Sequence, residues 1–208
     1  MNQNPNKIIE IGIIGDKDTG KTSLLNNYFG MGFEKDMTST IGIDRFIKEI
    51  ESIKNKKYKL KIIDTAGQEV FRSLVLSIFK NCKGLILVYA IDDEKSFENV
   101  KFRWIQDIND SLDMSKTPII LVGNKIDLKD ERIISEEEGQ KLANDNNFEF
   151  LETSAKTGEN VNEIFQTIFE IIVKDIEKDV KIKEINNNVK EKTFKLGNPK
   201  KIIHRKCC

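Results

Sequence analysis

Absences bound this sequence first. It holds one histidine, His204, close to its end, where a histidine-centred catalytic triad has no room to form. Its three cysteines are too few for a disulfide framework, and with one histidine they argue against a zinc site. Reduced thiols fit a cytosolic protein. Charge of either sign in excess is also missing: 34 Lys and Arg face 34 Asp and Glu. A protein held to nucleic acid by phosphate neutralisation shows a basic excess, so no nucleic-acid partner is expected. No signal peptide is read at the start, and no apolar run is long enough to span a bilayer. Asn109-Asp110-Ser111 fits a glycosylation sequon, which is idle in a cytosolic protein. The 208 residues suffice for one domain with a full core plus a tail.

What is present centres on Gly15-Asp16-Lys17-Asp18-Thr19-Gly20-Lys21-Thr22. The stretch fits G-x-x-x-x-G-K-[ST], a phosphate-cradling loop. Gly15 and Gly20 allow backbone angles that a side chain blocks. Successive N–H groups then curl around a phosphate oxyanion. Lys21 places a point charge near the β- and γ-phosphates, and the Thr22 hydroxyl suits Mg²⁺. Ser23 follows within the helix that opens here, whose positive end adds to the anion site. Lys7–Ile14 reads as a buried strand and Thr22–Phe29 as a helix, the context this motif requires.

Residues 1–6 read as a loose N-terminus, and Gly30-Met31-Gly32 ends the first helix. Phe33–Ile43 lacks a period and reads as a surface loop. Arg45–Ile53 and Lys57–Ile63 read as a hairpin. A short helix is expected from about Val70 to Asn81. Gly84–Ile91 and Pro118–Gly123 are continuous apolar runs, the signature of central parallel strands. Asp92 or Asp93 caps the helix between them, whose stripe is Phe97, Val100, Trp104, Ile108 and Leu112. Trp104 therefore reads as core, and Cys82 as a packed thiol. Ser135 with Glu138 forms a capping box for a helix to about Asn146. Phe148–Glu152 is a short strand. Asn160 with Glu163 opens the last helix. This alternation predicts an α/β fold, a mainly parallel sheet with helices on both faces. From about Lys178 ten basic residues face three acidic ones, and residues 178–208 read as a flexible basic tail ending in Cys207-Cys208.

The polar motifs all follow strand ends. In Asn124-Lys125-Ile126-Asp127, the Asp127 carboxylate can accept from guanine N1–H and its exocyclic amine, a donor pair that adenine lacks. The Ala155 N–H can donate to guanine O6. A wrong base leaves such groups unsatisfied, so discrimination is strong. Alone, N-K-x-D is a weak motif; with the phosphate loop and Ser154-Ala155-Lys156 in order, the signal is strong. Asp64 fits a Mg²⁺ holder behind the first ligands, the Gly67 N–H can reach a γ-phosphate, Gln68 is placed to orient water, and Thr40 offers a second hydroxyl to the metal.

These motifs together resemble those of a Ras-superfamily small GTPase, and within it a Rab. The resemblance covers roughly residues 7–175 and includes Ser39–Asp44, Asp64–Glu69, Phe71-Arg72-Ser73, Gly123–Leu128, Glu152–Lys156 and the terminal cysteines. It implies a P-loop NTPase G domain over residues 7–177 with a six-stranded sheet. It also implies switch I at about 33–44, with Phe33 against the guanine ring, and switch II at about 64–80. GTP and GDP are the implied ligands and Mg²⁺ the cofactor, held by Thr22, Thr40 and Asp64. Gln68, Lys21 and Thr40 would carry slow hydrolysis that needs an activating protein. Implied partners are an exchange factor, effectors on the switches, and prenyl-transfer escort and dissociation-inhibitor proteins. Cys207 and Cys208 resemble a double-geranylgeranylation signal, and two lipid chains anchor stably where one does not. The expected setting is the cytoplasmic face of an intracellular membrane, cycling with the cytosol, in vesicle traffic. Lys17 and Asp18 depart from the usual small residue and glycine and are expected to alter nucleotide exchange or hydrolysis. A GTP-binding scaffold with little turnover is the alternative. Arg45, Ile63 and Ile78 stand where aromatic residues are usual, which implies an unusual effector set. Met37 and Val70 are further departures.

Overall fold

The computed structural model describes residues 7–32, 43–52, 55–65 and 79–196. The chain divides into two compact units, residues 1–172 and 173–208. In the first, one sheet has six strands: β1 (Lys7–Gly15), β2 (Ile43–Glu51), β3 (Lys57–Thr65), β4 (Gly84–Ala90), β5 (Ile119–Asn124) and β6 (Glu149–Thr153). Their order is β2-β3-β1-β4-β5-β6. β1 pairs in parallel with β3 and β4, β4 with β5, and β5 with β6. Only β2 is antiparallel, hairpinned to β3 from Ile43↔Thr65 to Glu51↔Lys57. Asn55 turns that hairpin with a φ of 56°, the left-handed region an asparagine tolerates.

The expected α/β sheet is therefore present, and its apolar runs explain it. All seven residues of β4 and all six of β5 are buried, as in strands covered on both faces. On one face lie α1 (Lys21–Tyr28) and the start of α5 (Val161–Leu196), with Tyr28 stacked on Phe165 at 4.0 Å and Phe169 edge-on to Tyr58. On the other lie α2 (Glu94–Asn99), a π-helical turn (Val100–Trp104), α3 (Ile105–Ser111) and α4 (Glu136–Asn146). Phe97, Val100, Trp104, Ile108, Leu142 and Ala143 pack there against sheet residues such as Leu87, Tyr89 and Leu121.

The caps read from sequence are mostly in place. The Asp93 side chain accepts from Lys95 N–H at the start of α2. Ser135 and Glu138 form the reciprocal box on α4. Asn160 does more than open α5: its backbone carbonyl accepts from Ile164 N–H at 3.3 Å, and its amide donates to Glu152 O at 2.8 Å, which fastens the end of β6. The single helix expected after Asp93 is broken by the π-helical turn. In the second unit the helix continues to Leu196, past Lys178, where the sequence suggested a tail. Lys and Glu are good helix formers, and no Gly or Pro interrupts before Gly197 and Pro199. The short helix expected at about 70–81 falls almost wholly outside the described residues, as do Cys207 and Cys208. No helix among the described residues is long and apolar enough to cross a membrane.

Cys82 is buried in the core. Burial, with the charge of Glu10 beside it, pushes its thiol up to about 12 against the pull of Lys61. The thiolate is the reactive form, so a Cys207→Ser/Cys208→Ser variant should take no alkylating label at pH 8 while folded and one label in denaturant. Mass spectrometry of the labelled chain checks this.

Candidate functional site

Five parallel strands present their carboxyl ends on one edge of the sheet. β1 lies between β3 and β4, so the chain's connections depart in opposite directions on either side of it. Such a switch point is where open α/β sheets bind ligands. The stretch 15–22 leaves β1 there.

Local packing dictates the glycines. A Cβ built on Gly15 would lie 2.1 Å from Val88 O, and one on Gly20 would lie 2.3 Å from Asn124 Nδ2. Both also have positive φ, 140° and 90°. The loop is thus pressed against β4 on one side and the end of β5 on the other. Within it, Thr19 Oγ1 donates to Asp16 O at 3.0 Å and Lys21 Nζ donates to the same oxygen at 2.6 Å. Lys21 is buried. Burial pulls its pKa down to about 8, opposed by the charges of Asp64, Asp16 and Asp18. It remains a concentrated positive charge at the centre of the loop.

The Asp16 carboxylate faces inward, accepting from Asn99 Nδ2 at 2.5 Å and Trp104 Nε1 at 2.7 Å. Hydrogen bonds to a charged group contribute about 1.5–3 kcal/mol each, enough for two of them to offset much of its desolvation. Lys17 and Asp18 are exposed and form an ion pair at 3.7 Å. Asp18 has φ 63°, a left-handed conformation that suits glycine better than a side chain.

Thr22 Oγ1 donates to Asp64 Oδ2 at 2.7 Å, tying the start of α1 to the end of β3. A hydroxyl and a carboxylate are hard oxygen donors and fit Mg²⁺, which keeps water and phosphate oxygens as its other ligands. Among the described residues no three or more His, Cys, Asp or Glu gather into a metal cluster.

The segments that follow β5 and β6 are bound to one another. Asn124 is 1% exposed. Its Nδ2 donates to Thr19 O at 2.7 Å, and its Oδ1 accepts from Ala155 N–H at 3.1 Å. That N–H is thus directed at Asn124, where the sequence suggested a donor for guanine O6. Ser154 Oγ donates to Asp127 Oδ1 at 2.6 Å, and Lys156 Nζ lies 3.4 Å from the other carboxylate oxygen. Lys125, at φ 75°, pairs with Asp92 at 3.1 Å. Asn27 of α1 donates to Ala155 O at 3.2 Å. Arg132 grips both oxygens of Glu152 at 2.7 Å, which anchors the strand leading into Thr153-Ser154-Ala155.

The structure therefore gathers Gly15 through Thr22, Asp64, Asn124, Lys125, Asp127, Ser154, Ala155 and Lys156 on one edge. Ser23 follows on α1. Phe33, Thr40, Gly67 and Gln68 lie outside the described residues, as do Met37, Val70 and Ile78. Ile63, expected on an effector-reading face, is buried in the core beside Phe79, while its register partner Arg45 is exposed. Sequence reading missed Asn99, Asn27 and Arg132, offered Asp92 only as a helix cap, and gave Trp104 only a packing role. No local signal points to Asn99, which an ordinary α-helix would place away from the Phe97–Trp104 stripe; the π-helical turn brings it there.

A model of the Ras family matches residues 10–174. Ras-related protein Rab-8B of Homo sapiens is 45% identical over 161 residues, 77% of this chain and 76% of that protein. Rab-8 of Diplobatis ommata is 40% identical over 194 residues, 93% of this chain and 89% of its own length. SEC4 of Saccharomyces cerevisiae is 39% identical over 170 residues, 82% and 77% of the two chains.

Removing the Asn124 side chain strips a buried N–H of its acceptor and a buried carbonyl of its donor. Asn124→Ala should cost about 2–4 kcal/mol, at roughly 1–3 kcal/mol for each buried group left unsatisfied. Urea unfolding monitored by far-UV circular dichroism measures it, with an unchanged midpoint as the contrary result.

Proposed function

The chain belongs to the Ras family and stands with its Rab members, and from that premise we propose how its own residues operate. It is a Rab-like small GTPase of vesicle traffic, binding GTP and GDP and hydrolysing GTP. A scaffold that barely turns over is not favoured by such relatives.

The observation that carries the residue assignments is Asn124, which joins the phosphate loop to the Ala155 loop. A guanine held by Asp127 and a polyphosphate held at Lys21 are thereby read at a fixed separation. Loop N–H groups from residue 17 to residue 22 face the β-phosphate. Lys21 sits beside the oxygens that gain charge as the bond from the γ-phosphorus to the bridging oxygen breaks. Gln68 orients the water that attacks that phosphorus, and the proton it sheds ends on the released phosphate. Thr22, Thr40 and Asp64 would hold a Mg²⁺ ion, which supplies positive charge against the phosphate oxygens when bound. Thr40 and Gly67 hold switch I and switch II to the γ-phosphate, and its departure releases both. Turnover is slow until an activating protein supplies an arginine finger.

The Rab family implies regulators and effectors in general. We extend this to an exchange factor, an activating protein, an escort and a dissociation inhibitor. Membrane association follows from the trafficking role. Two prenyl groups on Cys207 and Cys208, assisted by basic residues toward the C-terminus, give it a physical basis on an anionic cytoplasmic leaflet.

Purified full-length chain should bind GDP and GTP in preference to ATP and hydrolyse GTP slowly, faster with an activating protein. Gln68→Leu should bind equally but lose the stimulated rate in a single-turnover assay. Failure of the parent chain to bind either guanine nucleotide rejects the reading. Asp18 adds an exposed negative charge beside the phosphates and a left-handed φ, so Asp18→Gly should slow GDP release by roughly fivefold, the scale of a weak exposed charge interaction. Stopped-flow release of a fluorescent GDP checks the direction.

A further inference from the structure

We propose that Trp104 and Asn99 are positioning residues for nucleotide binding, which they serve by clamping the Asp16 carboxylate and fixing the phosphate loop from behind. The inference rests on the nucleotide reading of that loop given above.

Three buried groups meet at this point: Asp16 is 8% exposed, Asn99 6% and Trp104 4%. Each carboxylate oxygen has its own donor, Asn99 Nδ2 on Oδ2 and Trp104 Nε1 on Oδ1. With both oxygens held, the carboxylate cannot rotate toward the phosphates. The main-chain oxygen of the same residue accepts from Thr19 and Lys21. Asp16 is thus fixed through side chain and backbone together, and the loop cannot turn at this residue without breaking one set or the other. The donors are neutral, so they orient the charge without cancelling it. Its field still reaches Lys21, where it favours the charged lysine.

The helix carrying the clamp is built for it. Residues five apart lie roughly 140° apart around an α-helix and do not share a target. Asn99 and Trp104 are five apart, and the turn between them is π-helical. Ile105 N–H donates to Val100 O, the i→i+5 bond that defines such a turn. The wider turn brings both side chains to one face. A continuous α-helix would keep the apolar stripe and lose one of the two donors. Packing alone therefore does not account for the bulge, whereas reaching Asp16 does.

Trp104 is the only tryptophan in the chain, so its indole N–H gives one assignable signal. The test uses the full-length chain loaded with fluorescent GDP and the variants W104F, N99A, D16N and D16N/W104F. W104F keeps an aromatic ring in the core while removing the donor together with the five-membered ring that carries it; N99A removes the other donor and leaves the tryptophan in place. Each single variant should release GDP about tenfold faster, the scale of one lost hydrogen bond to a charge. The double variant should be no faster than the faster single. Release at the parent rate in both W104F and N99A, or effects of D16N and W104F that multiply, would overturn the proposal. An NMR arm reads the clamp without kinetics: the Trp104 indole N–H resonance should lie downfield and move toward the free-indole position in D16N. An unmoved resonance also overturns it. If the parent chain binds no guanine nucleotide, the functional reading falls and the positioning role with it, while the resonance still reports whether the clamp exists. If the parent binds and the variants behave as the parent, this inference alone falls.

Discussion

One buried amide holds the site together. Asn124 ends β5, reaches across to the carbonyl of Thr19, and receives the N–H of Ala155. Two segments 136 positions apart in the chain, beginning at Thr19 and ending at Ala155, are thereby set at one distance. Each loop has hydrogen bonds of its own, and the Asn124 amide is what sets one loop against the other. A loop rich in glycine loses much conformational entropy on ordering, and the sheet alone fixes only its first residue. The glycine at position 20 is the complement of this bond, since a side chain there would occupy the space of the amide.

Charge in the phosphate loop is balanced by placement. Lys21 is buried beside three acidic groups, Asp64, Asp16 and Asp18. They are disposed differently: Asp64 accepts from Thr22, Asp16 is turned into the helical layer, and Asp18 stands at the surface against Lys17. A negative group can therefore sit in an anion-binding loop without opposing the anion, provided that something holds it away. The first two are held, and the third is only screened by its neighbour and by solvent.

Much of this was legible in the sequence because it is local. Strand, glycine loop and helix follow one another at 7–29; β4 and β5 are unbroken apolar runs; Ser135 and Glu138 lie three apart. The parallel sheet follows from the alternation of such elements. What did not show was set by contacts between residues far apart in the chain. The direction of the Asp16 carboxylate depends on donors 83 and 88 residues away. The π-helical turn leaves the spacing of Phe97, Val100, Trp104 and Ile108 compatible with an ordinary helix. Asn160 sits where the helix opens, and the second task of its amide, holding Glu152 O, depends on a strand eight residues back. The continuation of α5 to Leu196 reflects helix propensity that the density of lysine had masked. The segments after β5 and β6 do lie together as their order at strand ends suggested, while the partner of the Ala155 N–H depends on a side chain that only the fold brings near.

The outermost strand has its own bearing on the switch. β2 is bonded on one side only, to β3. β2 therefore meets the strands that carry the loops only through β3. A bare sheet margin also invites another chain to dock by backbone bonding. Asp44, Arg45, Glu49 and Glu51 are exposed along this one. Charged side chains at such a margin need water, so they disfavour edge-to-edge pairing of two copies and keep the border of the sheet solvated.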